Sequence, residues 1–316
     1  MVTCTWCDKY FGGAKHVPDG NLVYLDERVA YLLGLVLARG ELVDSGSVKT
    51  IKIEFGVSGL QTIGLTKKTT FNQVDGIHAF FSKQLVEYVD ELSEGLVRVS
   101  TSGNSIFLSL SYLRETTFWS NLRRLTQGKK SYKEFEIHPI VFMSRVEIQK
   151  QLVRGFADAA GYVRAKNKDW TGKHRIFIHI ANQNWKMPVQ LCHLLQDHLE
   201  VPVSMIDWGH PNLRAMRDPK SHSWAKEHQI RIYAHEFEKV GLQIDYRQQT
   251  LNQLADANRK SNARVGNYCC PWLKPKPANP AVKHPDEKSD ILDPQVRKHF
   301  DAYWQICRAA GCVRAP

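Results

Sequence analysis

No apolar run in this 316-residue chain is long enough for a membrane span, so no membrane role is expected. The N-terminus is too polar for the apolar core of a secretory signal. The expectation is a cytoplasmic, nucleoid-associated or organellar protein that is not secreted. Several catalytic signatures are also missing. There is no Walker loop, no glycine-rich dinucleotide turn after a strand and no Gly-x-Ser-x-Gly elbow. Thirteen histidines show neither HExxH nor His-x-His metal spacing. Cysteine is sparse and odd in number, at seven, which does not suit a secreted disulfide framework.

What is present in excess is positive charge. The formal net charge is +11, and a basic balance of this size favours a polyanionic partner, usually nucleic acid. The plainer alternative is a solvated basic surface. Composition is globular, 43% hydrophobic and 24% charged, and the length accommodates two domains, each with its own core.

Hydrophobic periodicity divides the chain into two similar halves. Asp26 is a good N-cap for a helix running to Ala38 or Arg39, with Gly40 ending it. A short strand near Glu41 to Asp44 follows. Thr50 to Val57 alternates as a strand, with Ile51, Ile53 and Phe55 on one face and Lys52 and Glu54 on the other. Helical spacing of Ile77, Phe80, Phe81, Leu85 and Val89 predicts a helix over 73–93. Val97 to Thr101 and Ile106 to Tyr112 form a hairpin across Ser102-Gly103-Asn104, and a helix follows near Thr117 to Leu125.

The second half repeats this order. Ser144-x-x-Glu147 reads as a capping box opening a helix to Ala160. Strands follow at Tyr162 to Ala165 and His174 to Asn182, then a helix from Pro188 to Leu199. Strands at Val203 to Trp208 and Gln229 to Ala234 flank a polar insertion, Gly209 to Glu227, and Tyr246 to Asn258 closes as a helix. The tail carries a proline-rich connector, Pro271 to Pro280, and a last helix opened by Asp293 and Pro294. Four segments result: 1–24, containing cysteines; a first repeat, 25–130; a second repeat, 131–262; and a C-terminal extension, 263–316.

The strongest signal is a pair of segments, YLLGLVLARGEL from Tyr31 and QLVRGFADAAGYV from Gln151. Gly34 and Gly155 are offset by 121 residues (155 − 34), a spacing that indicates a duplicated domain. Gly34 and Ala38 lie four apart, as do Gly155 and Ala159, so each pair shares a helix face. Small residues there let two helices approach backbone to backbone and make a pseudo-symmetric seam. The alternative is an ordinary buried helix.

These two segments, Leu32 to Gly40 and Val153 to Gly161, resemble the LAGLIDADG motif of homing endonucleases and their relatives. The resemblance implies an α+β fold of two αββαββα repeats whose sheets form a saddle over double-stranded DNA, in a monomer with an internal pseudo-two-fold. It implies that the residue before each closing glycine is an acid that binds divalent metal at the scissile phosphates. Here those positions hold Arg39 and Ala160. Arginine is permanently cationic and alanine offers no ligand, whereas Mg²⁺ takes oxygen donors. The expectation is therefore a DNA-binding protein without the family's metal-dependent cleavage. One alternative is a divergent endonuclease, with Mg²⁺ and with Glu41 or Asp158 as substitute acids. Another is an RNA-binding, maturase-like splicing cofactor. Asp158 points roughly 200° around the helix from Ala160, which favours a structural or capping role. Arg39 has two readings, a bidentate phosphate clamp or a surface cation easing the helix dipole.

DNA contacts are expected from the strand faces opposite the helices. The candidates are Lys49, Lys52, Arg98, Arg164, Lys166, Lys168, Lys173, Arg175 and Arg231, with Gln183, Asn184, Gln229 and Tyr233 as polar readers. Cys4-x-x-Cys7 has the spacing of half a structural zinc site, which Cys269-Cys270 or Cys307 with Cys312 could complete; the expected set is Cys4, Cys7, Cys307 and Cys312. Free thiols are the alternative. Cys192, between Leu191 and Leu194, reads as core.

Overall fold

The computed structural model describes residues 23–66, 96–113, 115–169, 171–184, 186–210 and 227–261. The expected helix over 73–93, most of the polar insertion, the proline-rich tail, the last helix and the cysteine set Cys4, Cys7, Cys307 and Cys312 lie outside the described residues.

Helix α1 (Glu27–Arg39) begins where the Asp26 carboxylate accepts from the Val29 amide at 2.8 Å. It runs directly into β1 (Gly40–Asp44), which pairs with β2 (Lys49–Gly56). A single turn, α2 (Val57–Leu60), follows. The hairpin of β3 (Leu96–Ser102) and β4 (Ser105–Tyr112) turns at Gly103, whose φ of +58° suits glycine. Helix α3 (Thr117–Leu125) is capped by the Thr116 hydroxyl. The second half opens with a short turn, α4 (Pro139–Phe142), and helix α5 (Val146–Ala160). Then come β5 (Gly161–Lys168), β6 (His174–Ala181) and α6 (Lys186–His193), which continues into a π-helical turn, Leu194–His198. Strands β7 (Met205–His210) and β8 (Glu227–Tyr233), a turn α7 (Ala234–Phe237) and helix α8 (Asp245–Lys260) complete it.

The fold is α+β, built from two four-stranded antiparallel sheets with the same internal order. Sheet one runs β1-β2-β4-β3 and sheet two β5-β6-β8-β7. Ile51, Ile53, Phe55, Ile106, Leu108 and Leu110 turn inward from sheet one, as do Ile176, Ile178, Ile180, Ile230 and Ile232 from sheet two. Between them lie α1 and α5. Every residue of α1 from Val29 to Ala38 is buried, the all-round burial expected of a helix at the centre of a core.

The outer edges of β1 and β5 are covered. The Leu42 amide donates to Lys130 O at 2.8 Å and the Tyr132 amide to Gly40 O at 2.9 Å, so the inter-repeat connector lies along β1. The Ala165 amide donates to Ile63 O at 2.6 Å, so the segment after α2 lies along β5. Covered edges cannot recruit further strands.

One local expectation is corrected. The Ser144–Glu147 capping box does not form, because the Ser144 hydroxyl turns back to Ile140 O at 2.6 Å and Arg145 occupies the N-cap without a side-chain bond. Gln149 ties this entry instead, donating to the carbonyls of Val141, Phe142 and Ser144. Gly40 and Gly161 close their helices in extended backbone, with φ of −94° and −88°, not in the left-handed region. They are glycines for space: a Cβ would stand 2.6 Å from Val36 O at Gly40 and 2.3 Å from Ala157 O at Gly161.

Candidate nucleic-acid interface

The two repeats are joined by the seam between α1 and α5. A Cβ on Gly34 would meet Leu152 O at 2.1 Å, and one on Gly155 would meet Tyr31 O at 2.0 Å. The two backbones therefore touch through the glycines, in reciprocal fashion, as a two-fold relation requires. Ala38 and Ala159 are buried on the same helices. The helices end together. Glu227 binds both Arg39, in the last turn of α1, and His179, whose ring packs 4.3 Å from that of Tyr162, two residues beyond α5.

At these shared ends the Arg39 guanidinium donates to Glu227 Oε1 at 2.8 Å and lies 5.6 Å from the Tyr132 ring. Burial works against its charge, but the Glu227 charge and hydrogen bond outweigh burial, so the proton is held more tightly than in an ordinary arginine. Glu227 also meets His179 Nδ1 at 2.7 Å. Burial pushes the Glu227 carboxyl up, yet the His179 bond and the Arg39 charge together bring it down to about 2. Arg39 is thus neither an exposed dipole partner nor presented as an open phosphate clamp.

The residues at the helix ends do not fit a divalent cation. Arg39 is a permanent cation, Ala160 is buried and offers no side-chain oxygen, and Glu227, the carboxylate that meets Arg39 among the described residues, is shared with His179. The two substitute acids lie in opposite environments. Glu41 is exposed on β1 opposite Lys52. Asp158 is fully buried: it accepts from Tyr31 Oη at 3.0 Å and the Gln243 amide at 2.8 Å, and it pairs with Arg247 Nη1 at 3.4 Å. Burial raises its carboxyl above the usual range against the pull of Arg247. Arg247 also donates to the carbonyls of Ala157 and Gly161, satisfying the C-terminal end of α5.

The expected DNA-contacting residues fall into distinct environments. Lys52 and Arg98 are exposed on the outer face of sheet one, in one row with Glu41 and Ser109. Lys49 sits at the same sheet's end, paired with Asp44. Lys166 and Lys168 are exposed along β5, and Gln183 is exposed after β6. Arg175, Gln229, Arg231 and Tyr233 do lie on the outer face of sheet two, but in a connected polar layer. Arg231 donates to Asp207 and to Gln229, each at 2.7 Å, and Gln229 meets His179 Nε2 at 2.9 Å. Arg175 pairs with Asp169 at 3.2 Å, which also accepts from Tyr233.

Three further candidates are buried or tied to backbone carbonyls. Arg164 donates to Ser58 O and so ties β5 to the first repeat. Lys173 is buried at the start of the β6 hairpin arm. Asn184 is buried, donating to Tyr132 O at 3.1 Å and Phe135 O at 2.8 Å while its carbonyl caps the Met187 amide. Cys192 is buried, and burial raises its thiol well above the usual range.

Sequence reasoning missed Glu227, His179, Tyr132 and Tyr162 as neighbours of Arg39. The alternation that selected Gln229 and Arg231 also puts Glu227 on their face, but nothing local links it to a residue 188 positions away.

No protein-family profile matches the sequence, and no curated protein matches it. Among solved structures it is similar to mesophilic variants of the homing endonuclease I-DmoI, at 17% identity and a TM-score of 0.39, over 68% of this chain and 93% of that one. It is similar to full-length DUF199/WhiA from Thermatoga maritima, at 14% identity and a TM-score of 0.40, over 78% of this chain and 65% of that one. It is also similar to the N-terminal LAGLIDADG domain of DUF199/WhiA, at 15% identity and a TM-score of 0.37, over 77% of this chain and 94% of that one.

Proposed function

We propose that this protein binds double-stranded DNA across the outer faces of its two sheets, as a monomer of two fused repeats, and does not cut it through metal held at the motif helix ends. The observation that carries the reading is the doubling itself. Two sheets of identical strand order hang from one glycine seam, and their solvent faces offer Lys52, Arg98, Lys166 and Lys168 on a chain of net charge +11. Two such faces related by a pseudo-two-fold suit the repeating phosphate backbones of a duplex. The absence of cleavage follows from donor chemistry, since Arg39 and Ala160 stand where oxygen ligands would be needed.

Fluorescence anisotropy of a labelled duplex, titrated over a range of salt, tests the binding. Affinity should fall steeply with salt, and the double variant Lys52→Ala/Arg98→Ala should bind more weakly with a shallower slope. A duplex affinity indifferent to salt and to these two cations would contradict the reading.

A further inference from the structure

The two sheets carry different chemistry at equivalent places. Gly40 pairs with Ile53 as Gly161 pairs with Ile178, which sets the registers side by side. The next outward-facing row runs Glu41, Lys52, Ser109, Arg98 across sheet one. In sheet two the matching row is Tyr162, Phe177, Arg231, Met205. One step further along, Glu54 of sheet one is matched by His179 of sheet two. Where sheet one carries Glu41, Lys52 and Ser109, sheet two carries three groups with planar faces, Tyr162, Phe177 and Arg231.

Those groups are layered on one another. The Tyr162 and His179 ring centroids are 4.3 Å apart. The Arg231 guanidinium lies 5.0 Å from the Phe177 centroid, and that of Arg164 5.2 Å from Tyr162. Tyr162, Phe177, His179 and Arg231 are half-buried, so each shows part of its surface to solvent, and the exposed Lys166 and Lys168 lie further along the same strand as Tyr162. Asp207 holds Arg231 and Glu227 holds His179, and Gln229 bridges the two, accepting from Arg231 Nε and meeting His179 Nε2. A rigid array of rings and guanidinium planes beside free lysines stacks bases while the lysines meet the backbone. In a duplex the base faces are hidden inside the stack, so stacking on such an array needs unpaired bases.

We infer that the outer face of sheet two is a stacking platform for unpaired nucleobases, taking single-stranded or locally opened nucleic acid. This rests on the nucleic-acid reading above and adds to sheet two, beside its part in duplex binding, the holding of bases that have left the stack. Oligothymidylate and oligouridylate, each carrying one 2-aminopurine, are titrated with the full chain, stacking being read as fluorescence quenching. The expected result is quenching on binding, with affinity about tenfold weaker in Tyr162→Ala and in Phe177→Leu, and retained in Tyr162→Phe. The tighter of the two oligonucleotides identifies the sugar preferred. Bound but unquenched probe, or equal affinity in Tyr162→Ala and Phe177→Leu, overturns the platform. A duplex control separates the claims: retention of duplex without such stacking leaves the duplex reading standing, and retention of neither nucleic acid overturns both.

Discussion

Replacing Gly155 with alanine adds one methyl group at the closest point of the helix seam. Its Cβ would lie 2.0 Å from Tyr31 O and 3.2 Å from the Leu35 amide nitrogen. Comfortable contact between heavy atoms begins at about 3.5 Å, so α1 and α5 must separate locally by about 1.5 Å. The obstructing atoms are backbone, which cannot swing aside as a side chain would. Overpacking in a close-packed core costs about 1–3 kcal/mol, and the rigid neighbours place this case at the top of that range. Alanine returns about 1 kcal/mol of helix propensity, which leaves a net loss of about 2 kcal/mol. Urea unfolding should show the loss as a lowered midpoint at unchanged slope. Gly59→Ala is the internal control, since its Cβ would find nothing nearer than Gly161 O and Tyr162 Cζ, both at 3.7 Å, and stability should not fall. A Gly155→Ala protein as stable as the wild type would refute the reasoning, because it would mean that the helices do not meet through their backbones.

Arg247→Met should cost about 3–5 kcal/mol in the same assay, because it leaves the buried Asp158 carboxylate and the end of α5 without their cation. Glu227 is held at about 2 when folded, so its contribution is complete above the ordinary carboxylate range and is lost as pH falls from about 4.5 through 2. The shift corresponds to about 3 kcal/mol, reduced to about 2 because the side chain is 22% exposed, and Glu227→Gln should flatten that acid limb of stability against pH. Lys52→Ala should lower the salt dependence of duplex binding by about 0.9 in log–log slope if Lys52 neutralises one phosphate; an unchanged slope would remove it from the interface.

The seam was legible because its determinant is local. Glycine and alanine four apart twice over, at one offset, can be seen without knowing what they touch. Alternation placed Ile51, Ile53 and Phe55 inward and Lys52 outward for the same reason: a strand's two faces follow from its own sequence. What escaped depends on distant partners. Arg247 lies on a helix of mostly polar sequence and would pass for a solvated residue, yet it is the buried cation beneath α5. Asn184 looks like a reader of bases and instead fastens the inter-repeat connector. Gly40 and Gly161 were predictable as helix ends, but their cause, a carbonyl of the preceding turn, needed coordinates. The Ser144 box failed because Gln149 and the Ile140 carbonyl compete for the same turn, a contest the four-residue pattern does not contain.

The central claim joins retained binding to displaced chemistry, and one measurement addresses both. Duplexes recovered by selection from a randomised library are incubated with the protein at saturating concentration in Mg²⁺ or Mn²⁺, and strand integrity is followed on denaturing gels. The account predicts bound duplexes with both strands intact in either metal. A discrete, metal-dependent cut within a selected sequence would contradict it.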